Sequence, residues 1–199
     1  HGAPLPFPIR GTVTIRPEIE QGEAFTLDAD GRHVWRPVWP RARVHADFRA
    51  PDLRFEGDGY VDMNAGLEPL EAGFQSWNWS RAATAEGAAI LYDSLWRGGG
   101  EHGLALQIGS DGLAQAFPAP QTVALPKVGW GVARATRSQG PARVTQTLED
   151  TPFYSRSLVE TQILGETRTF MHESLDLDRF AAGWVKTLLP FRMPRKLWP

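Results

Sequence analysis

Cysteine is absent from the 199 residues, so the chain has neither a disulfide framework nor thiolate chemistry, which suits a reducing compartment such as the cytoplasm. The formal net charge is only −2. Nucleic acid is therefore not expected as a partner, because phosphate binding needs a dense cationic surface. No apolar run approaches the roughly 18 residues that a membrane-spanning helix needs. What remains is ordinary globular composition, with 42% hydrophobic and 22% charged residues, and enough length for one large or two small domains.

The sequence also lacks the motifs of several common catalytic and ligand-binding sites. The five histidines are scattered and no pair has ligand spacing, so no metal site is expected. The glycine runs lack the Lys-Ser/Thr pair of a phosphate loop, and no serine lies in a nucleophile elbow. Carboxylates and aromatic side chains are the groups left for chemistry.

Short alternating stretches separated by Gly, Asp and Pro turns recur along the chain. Val13 and Ile15 alternate with threonines, and Asp30-Gly31 is a hairpin signal. Further strands are predicted at residues 89–96, 104–108, 131–137, 142–148 and 157–164. There is no βαβ rhythm. This spacing predicts an all-β sandwich or barrel.

One helix is predicted near the end, over residues 177–189. Phe180, Trp184 and Leu188 recur at four-residue spacing, with Leu177 and Ala181 beside them, and are expected to face the barrel wall. Asp176 is a good N-cap, and Pro190 should stop the helix.

The tail after this helix, FRMPRKLWP, interleaves cations with apolar side chains. Such a mixture suits the surface of an anionic bilayer, although a solvated terminus is the simpler alternative. The residues concerned are Phe191, Arg192, Met193, Arg195, Lys196 and Trp198.

Residues 57–81, GDGYVDMNAGLEPLEAGFQSWNWSR, concentrate acids, an amide and aromatic rings among glycines. If the segment is extended, Tyr60, Asp62 and Asn64 point to one side. Asp62, among glycines and beside Asn64, should stay hydrated and ionised. The alternative is an irregular turn between two barrel halves, whose polar groups satisfy the loop backbone.

Asp93 is the acid with the most unusual setting. In the strand over residues 89–96 it shares a face with Ala89, Leu91 and Leu95, so it should point into an apolar interior. Burial there would raise the pKa of its carboxyl group and keep a proton available. The alternatives are a place at a barrel mouth, or a neutral core acid bonded to backbone.

Five segments together resemble carotenoid 1,2-hydratase of photosynthetic bacteria: GDGYVDMNAGLEPLEAGFQSWNWSRA, AAILYD, LPKVGWGVARATRS, LEDTPFYSRSLVE and HESLDLDRF…WVKTLLPFRMPR. That family is similar to lipocalins with two consecutive barrel-like domains. The resemblance implies a lipocalin-like antiparallel β-barrel or sandwich with a C-terminal helix. Residues 1–75 would be the remainder of a first lipocalin-like domain, most of it expected before His1, plus the glycine-rich motif. Residues 76–199 would form the second domain.

The resemblance also implies a hydro-lyase that adds water to the terminal 1,2 double bond of acyclic carotenoids, such as neurosporene or lycopene, without a cofactor. A bilayer-dissolved substrate implies a peripheral position on the inner, photosynthetic membrane, reached through the C-terminal tail. Because the chain looks truncated, inactivity of this chain would be compatible with an active parent enzyme.

The residues suit this chemistry independently of the resemblance. Asp93 is the predicted proton donor, Asp62 and Asn64 would orient the water, and aromatic faces would stabilise the carbocation. A long apolar pocket in the barrel would hold the polyene. The candidate site comprises Asp93, Asp62, Asn64, Tyr92, Trp77 and Trp79.

Two other functions fit the same features. One is a non-catalytic lipocalin-like carrier of an apolar ligand, and the other is a different terpenoid lyase or cyclase on the same fold. A carrier needs a pocket but no acid in it, so Asp93 on the outer surface would favour the carrier.

Overall fold

Strands make up most of the structure, a computed structural model that describes residues 8–191. The all-β prediction is confirmed, with two open antiparallel sheets and a small hairpin. The strands are β1 (Arg10–Ile19), β2 (Phe25–Thr26), β3 (His33–Ala50), β4 (Asp52–Gly66), β5 (Phe74–Ala83), β6 (Ala88–Trp96), β7 (Glu101–Ile108), β8 (Ala114–Ala116), β9 (Thr122–Leu125), β10 (Arg134–Arg137), β11 (Arg143–Asp150), β12 (Tyr154–Ile163) and β13 (Glu166–Asp176). The helices are α1 (Leu70–Gly73), α2 (Leu177–Ala181) and α3 (Gly183–Leu188).

The first sheet is built around β3, which pairs with β1, β2 and β4. The second sheet has seven strands in the order β11-β12-β13-β5-β6-β7-β8, and β9 pairs with β10 separately. Its middle strand is β5, flanked by β13 and β6. Within residues 8–191 the pairing closes neither sheet into a barrel. The predicted domain division near residue 75 falls close to the junction of the two sheets and stays a prediction.

The larger hydrophobic core lies between these two sheets. Trp35 from β3 is fully buried against Phe74, Ile90 and Tyr92 of the seven-stranded sheet. Because both sheets contribute to one core, the side chains that line a cavity between them come from residues far apart in sequence.

The other face of the seven-stranded sheet is largely polar. Arg134 on β10 donates to Ser157 Oγ over 2.8 Å, and His172 Nε2 donates to the carbonyl oxygen of Ala135 over 2.8 Å. A smaller apolar cluster around Leu91 and Phe170 completes this face. The buried polar side chains that share it include Ser80, Ser155, Ser157, Thr161, His172 and Ser174.

The first part of the glycine-rich stretch forms a regular strand and not an irregular turn. Residues 57–66 continue β4 and pair with β3, so that Asn64 lies opposite Trp35. The irregular-turn hypothesis is wrong for this part, and the extended alternative is confirmed. Gly66 is explained by a close approach, since a side chain there would run into the imidazole of His33.

The predicted helix over residues 177–189 is split in two. Ala182 has extended backbone angles, φ −64° and ψ 130°, and separates α2 from α3. The predicted N-cap is confirmed, because Asp176 Oδ1 accepts from the backbone N–H of Arg179 over 3.0 Å.

The predicted apolar face is confirmed in α2, where Leu177 is buried and Phe180 packs against the core, and it is wrong in α3. The break at Ala182 changes the helical phase, so Val185 is the buried residue of α3, whereas Trp184 is 54% exposed. No helix within residues 8–191 combines the length and apolarity needed to cross a bilayer.

The predicted membrane-contacting tail lies mostly outside the described residues. Phe191 is described and is 48% exposed. The other tail residues, namely Arg192, Met193, Arg195, Lys196 and Trp198, lie beyond them.

Candidate active site

A cavity of about 290 Å³ opens where the two sheets meet. Five of the six predicted site residues line it, and Asp93 does not. Its walls come from β4, β5, β6, β12 and β13, through Tyr60, Asp62, Asn64, Trp77, Trp79, Tyr92, Arg156 and Glu173.

Strand alternation and register bring these side chains together. Tyr60, Asp62 and Asn64 are alternate residues of β4 and therefore share one side of it. In the facing sheet, Trp79 is paired with Tyr92 on one neighbour and with Glu173 on the other. Residues paired across strands point the same way, so three strands supply one wall.

Asp62 is held by two donors from the first sheet. Trp35 Nε1 donates to Asp62 Oδ2 over 2.8 Å, and the Tyr60 hydroxyl donates to the same oxygen over 3.2 Å. Neither bond uses Oδ1. The carboxyl group is thereby fixed in orientation while one of its oxygens is left to face a reactant or carry a proton.

Aromatic rings line the same cavity as Asp62 and contact one another. Ring centroids are 5.1 Å apart for Tyr60 and Trp79, 6.0 Å for Trp77 and Tyr92, and 5.4 Å for Trp35 and Tyr92. Burial raises the pKa of both tyrosines, and the charge of Asp62 raises each pKa further. Both phenols therefore keep their protons, so the rings are neutral, and the Tyr60 hydroxyl donates to Asp62.

An ion pair completes the wall opposite β4. Arg156 on β12 and Glu173 on β13 are directly paired across the strands. Arg156 Nε lies 2.9 Å and Nη2 lies 2.8 Å from Glu173 Oε1. The cavity thus has a second carboxylate besides Asp62.

Asp93 lies on the opposite face of the seven-stranded sheet. Arg137 Nε donates to Asp93 Oδ1 over 2.6 Å, in a separate polar cavity of about 160 Å³ that Asn78 and His102 also line. Burial raises the pKa of Asp93, as predicted, although Arg137 opposes the effect.

The expected apolar surroundings of Asp93 are wrong. Its strand neighbours are apolar, but the β9–β10 hairpin covers this face with Arg137. At 22% side-chain exposure Asp93 is not on the outer surface either, so the feature that would favour a carrier is not seen.

The family model for carotenoid hydratase CrtC matches residues 1–198. The chain belongs to the CrtC carotenoid hydratase family. This confirms the family suggested by the five sequence segments.

Two curated relatives show what share of a full-length hydratase aligns with this chain. It is 50% identical to the acyclic carotenoid 1,2-hydratase of Thiocapsa roseopersicina over 97% of its own length, and 38% identical to that of Rubrivivax gelatinosus over 98%. It covers 48% and 49% of those two proteins. The chain therefore spans about half the length of these hydratases.

A solved structure supports the fold of this hydratase-family chain. A protein of Nitrosomonas europaea described as AttH superposes with a TM-score of 0.56 at 15% identity, covering 84% of this chain and 62% of the other. At that identity the likeness concerns the lipocalin-like fold alone.

Sequence reasoning on this hydratase-family chain missed four residues of the site. Tyr60 was recognisable from its alternation with Asp62 but was not taken as a site residue. Trp35, Arg156 and Glu173 carry no local signal, because each reaches the cavity through strand pairing between distant segments. Among residues 8–191 no group of three or more His, Cys, Asp or Glu side chains is arranged to hold a metal ion.

Proposed function

We propose that this chain hydrates acyclic carotenoids, such as neurosporene or lycopene, at the terminal 1,2 double bond, as a hydro-lyase of carotenoid biosynthesis. The observation that carries the proposal is Asp62, an exposed acid fixed by two donors on one oxygen at the wall of a cavity lined by aromatic rings. Membership in the carotenoid hydratase family supports the choice of substrate.

Asp62 is the proposed proton donor in place of Asp93. A proton on Asp62 Oδ1 passes to C2, and the π electrons of the double bond form the new C–H bond. C1, which bears two methyl groups, becomes a tertiary cation. Trp35 and Tyr60 keep Oδ2 bonded throughout, so the acid does not have to reorient. Positioned proton transfer of this kind contributes about 10²–10⁴-fold to the rate.

The rings of Trp77, Trp79 and Tyr92 are proposed to stabilise the cation. A cation over a desolvated aromatic face gains about 2 kcal/mol. Asn64 lines the same cavity and is proposed to hold the water that attacks C1. The two sheets would thus share the reaction, with the acid on one and most of the aromatic faces on the other.

The size of the cavity bears on how the substrate binds. At about 290 Å³ it lies near the lower end of ligand pockets. It suits the reacting end group rather than the whole polyene, for which a long apolar pocket was expected. We propose that the rest of the chain-like substrate extends out of the opening.

We also propose that the reaction needs no cofactor. Proton transfer to an alkene followed by addition of water involves no net oxidation or reduction, so acid, base and water suffice. Hydration that persists after dialysis against a chelator would support this, and its loss would contradict it.

Incubation of the chain with lycopene tests the central proposal. Mass spectrometry should show a product heavier by one water. Asp62→Asn should lower its rate of formation at least about 100-fold, because the amide has no acidic proton. Asp93→Asn should retain most of the activity, since Asp93 lies on the other face of the sheet.

Several results would contradict the proposal. Near-normal turnover by Asp62→Asn, with melting temperatures equal to that of the unsubstituted chain, would remove Asp62 from the chemistry. Loss of activity only in Asp93→Asn would restore Asp93 as the donor. Binding without a product would favour a carrier, and rearranged products without added water would favour a cyclase.

The cell location that fits this activity is the cytoplasmic side of the inner membrane, with the chain bound peripherally. The support is the solubility of the substrate in the bilayer and the cationic, aromatic tail of the sequence.

A further inference from the structure

Hydration releases a proton that the mechanism above leaves unassigned. When water attacks the cation at C1, its oxygen becomes positively charged until one O–H proton is removed. A base close to that oxygen makes the capture irreversible on the time scale of the reaction, whereas without one the cation can return its proton and revert to alkene.

Glu173 is the second carboxylate in the cavity, and it lies on the opposite wall from Asp62. It stands on β13, paired with Trp79, while Asp62 stands on β4 in the other sheet. Tyr92 lines the same cavity as both acids. Its pKa is raised by burial first, and then by the negative charges of Asp62 and Glu173.

Arg156 contacts only one of the two oxygens of Glu173. Both of its contacts, from Nε at 2.9 Å and from Nη2 at 2.8 Å, go to Oε1. The remaining oxygen, Oε2, takes no part in this ion pair. The arrangement parallels that of Asp62, in which both donors also bind a single oxygen.

We propose, on the basis of the proposed hydratase activity, that Glu173 is the general base that accepts the proton of the attacking water, with Arg156 as its positioning residue. Asp62 Oδ1 gives its proton to C2. A lone pair of the water oxygen forms the C1–O bond, and an O–H proton passes to Glu173 Oε2 while the electrons of that bond stay on oxygen. Exchange with solvent then returns a proton to Asp62 and removes one from Glu173, so the net change is alkene plus water to alcohol.

A second cross-strand ion pair provides a matched control. Arg143 on β11 and Glu160 on β12 are also paired across neighbouring strands, with Arg143 Nη2 2.6 Å from Glu160 Oε2. Neither residue lines the cavity between the sheets. If cross-strand pairing were all that Glu173 contributes, replacing Glu160 by Gln should have the same effect.

The experiment follows two events in D₂O with the whole chain and lycopene: formation of hydrated product, and entry of deuterium into the unhydrated alkene. In Glu173→Gln, hydration should fall about 100-fold while deuterium still enters the alkene, because protonation is intact and the cation reverts. Asp62→Asn should lose both events, and Glu160→Gln should keep both.

Arg156 is tested separately as a positioning residue. Arg156→Met should lower kcat for hydration more than it raises KM, since the base is misplaced but the cavity remains. Arg156→Lys should restore part of kcat, because an ammonium group still contacts the carboxylate.

Each contrary outcome points to a different error. Hydration by Glu173→Gln at the rate of the unsubstituted chain, or loss of deuterium entry together with hydration in a variant that melts normally, would overturn the role of Glu173. If the unsubstituted chain gave neither event, the proposed hydratase activity itself would fail, and the role of Glu173 with it.

Discussion

His172 is the most deeply buried titratable side chain on the polar face of the seven-stranded sheet, with 1% of its surface exposed. Burial lowers its pKa from 6.5 to about 4, although its hydrogen bond to Ala135 opposes the shift and nearby Arg134 adds to it. The ring is therefore neutral in the folded protein at pH values where it would be protonated in the unfolded chain.

This difference predicts a loss of stability in mild acid. Between about pH 6.5 and pH 4 the unfolded state binds more protons than the folded state at this site, so the free energy of unfolding falls as the pH falls, by up to about 3 kcal/mol. Urea unfolding across this range measures the slope. His172→Gln should flatten it, whereas His45→Gln, at an exposed histidine, should not. Equal slopes in all three proteins would contradict the prediction.

At the scale of single residues, the sequence predicted which side chains share a strand face but not what lies opposite. The alternation of β4 was sufficient to place Tyr60, Asp62 and Asn64 together. For Asp93 the same reasoning identified its own face correctly, yet the partner that decides its environment, Arg137, comes from a hairpin 44 positions away. The position of Arg137 beside Asp93 depends on pairing between distant segments, and no local sequence pattern indicates it.

The connection between α2 and β13 shows what a single cap contributes to an element. Asp176 ends the strand, accepts the N–H of Arg179 and lies 3.3 Å from the Arg179 guanidinium. With only five residues, α2 has little intrinsic stability and depends on this cap and on the burial of Leu177.

Replacement of Asp176 by Ala should therefore lower the free energy of unfolding by about 1 kcal/mol, as loss of a side-chain N-cap usually does. Asp176→Asn provides the matched control, because its amide oxygen can still accept the Arg179 N–H, and it should retain most of the stability. Urea unfolding of the three proteins measures the difference. Equal destabilisation by Ala and Asn would show that charge, rather than the cap, is what matters.

At the scale of elements, the strands were the most predictable part of the fold and the helix the least. Alternation located most of β6, β7, β11 and β12 because half-buried strands keep a period of two. The four-residue spacing around Phe180 looked equally regular, but the extended backbone at Ala182 interrupts it. Periodicity shows what a continuous helix would bury and cannot show a break.

At the scale of the whole molecule, the proposed substrate dissolves in lipid, so the proposed activity requires contact with a membrane surface. The predicted contact is the C-terminal tail. Its cations, Arg192, Arg195 and Lys196, would each gain about 1 kcal/mol near an anionic surface. Phe191 is exposed at the point where the described residues end, and it would add shallow apolar insertion.

Co-sedimentation with anionic liposomes tests this contact by comparing the full chain with one that ends at Pro190. The full chain should bind reversibly, and binding should weaken as salt is added, because the attraction is between exposed charges. The shortened chain should bind less. Equal binding by both chains, or none by either at low salt, would show that the tail does not carry the contact.

The position of β5 in the middle of the seven-stranded sheet has a consequence for biosynthesis. Trp79 obtains one neighbour, Tyr92, soon after it is made, but the other, Glu173, belongs to β13 and is translated much later. During that interval the edge of β5 that will receive β13 has unpaired backbone groups, and the aromatic wall above it is open to water. A nascent chain of this design depends on staying unaggregated until β13 leaves the ribosome, so we expect its yield in cells to respond to chaperone supply and to translation speed.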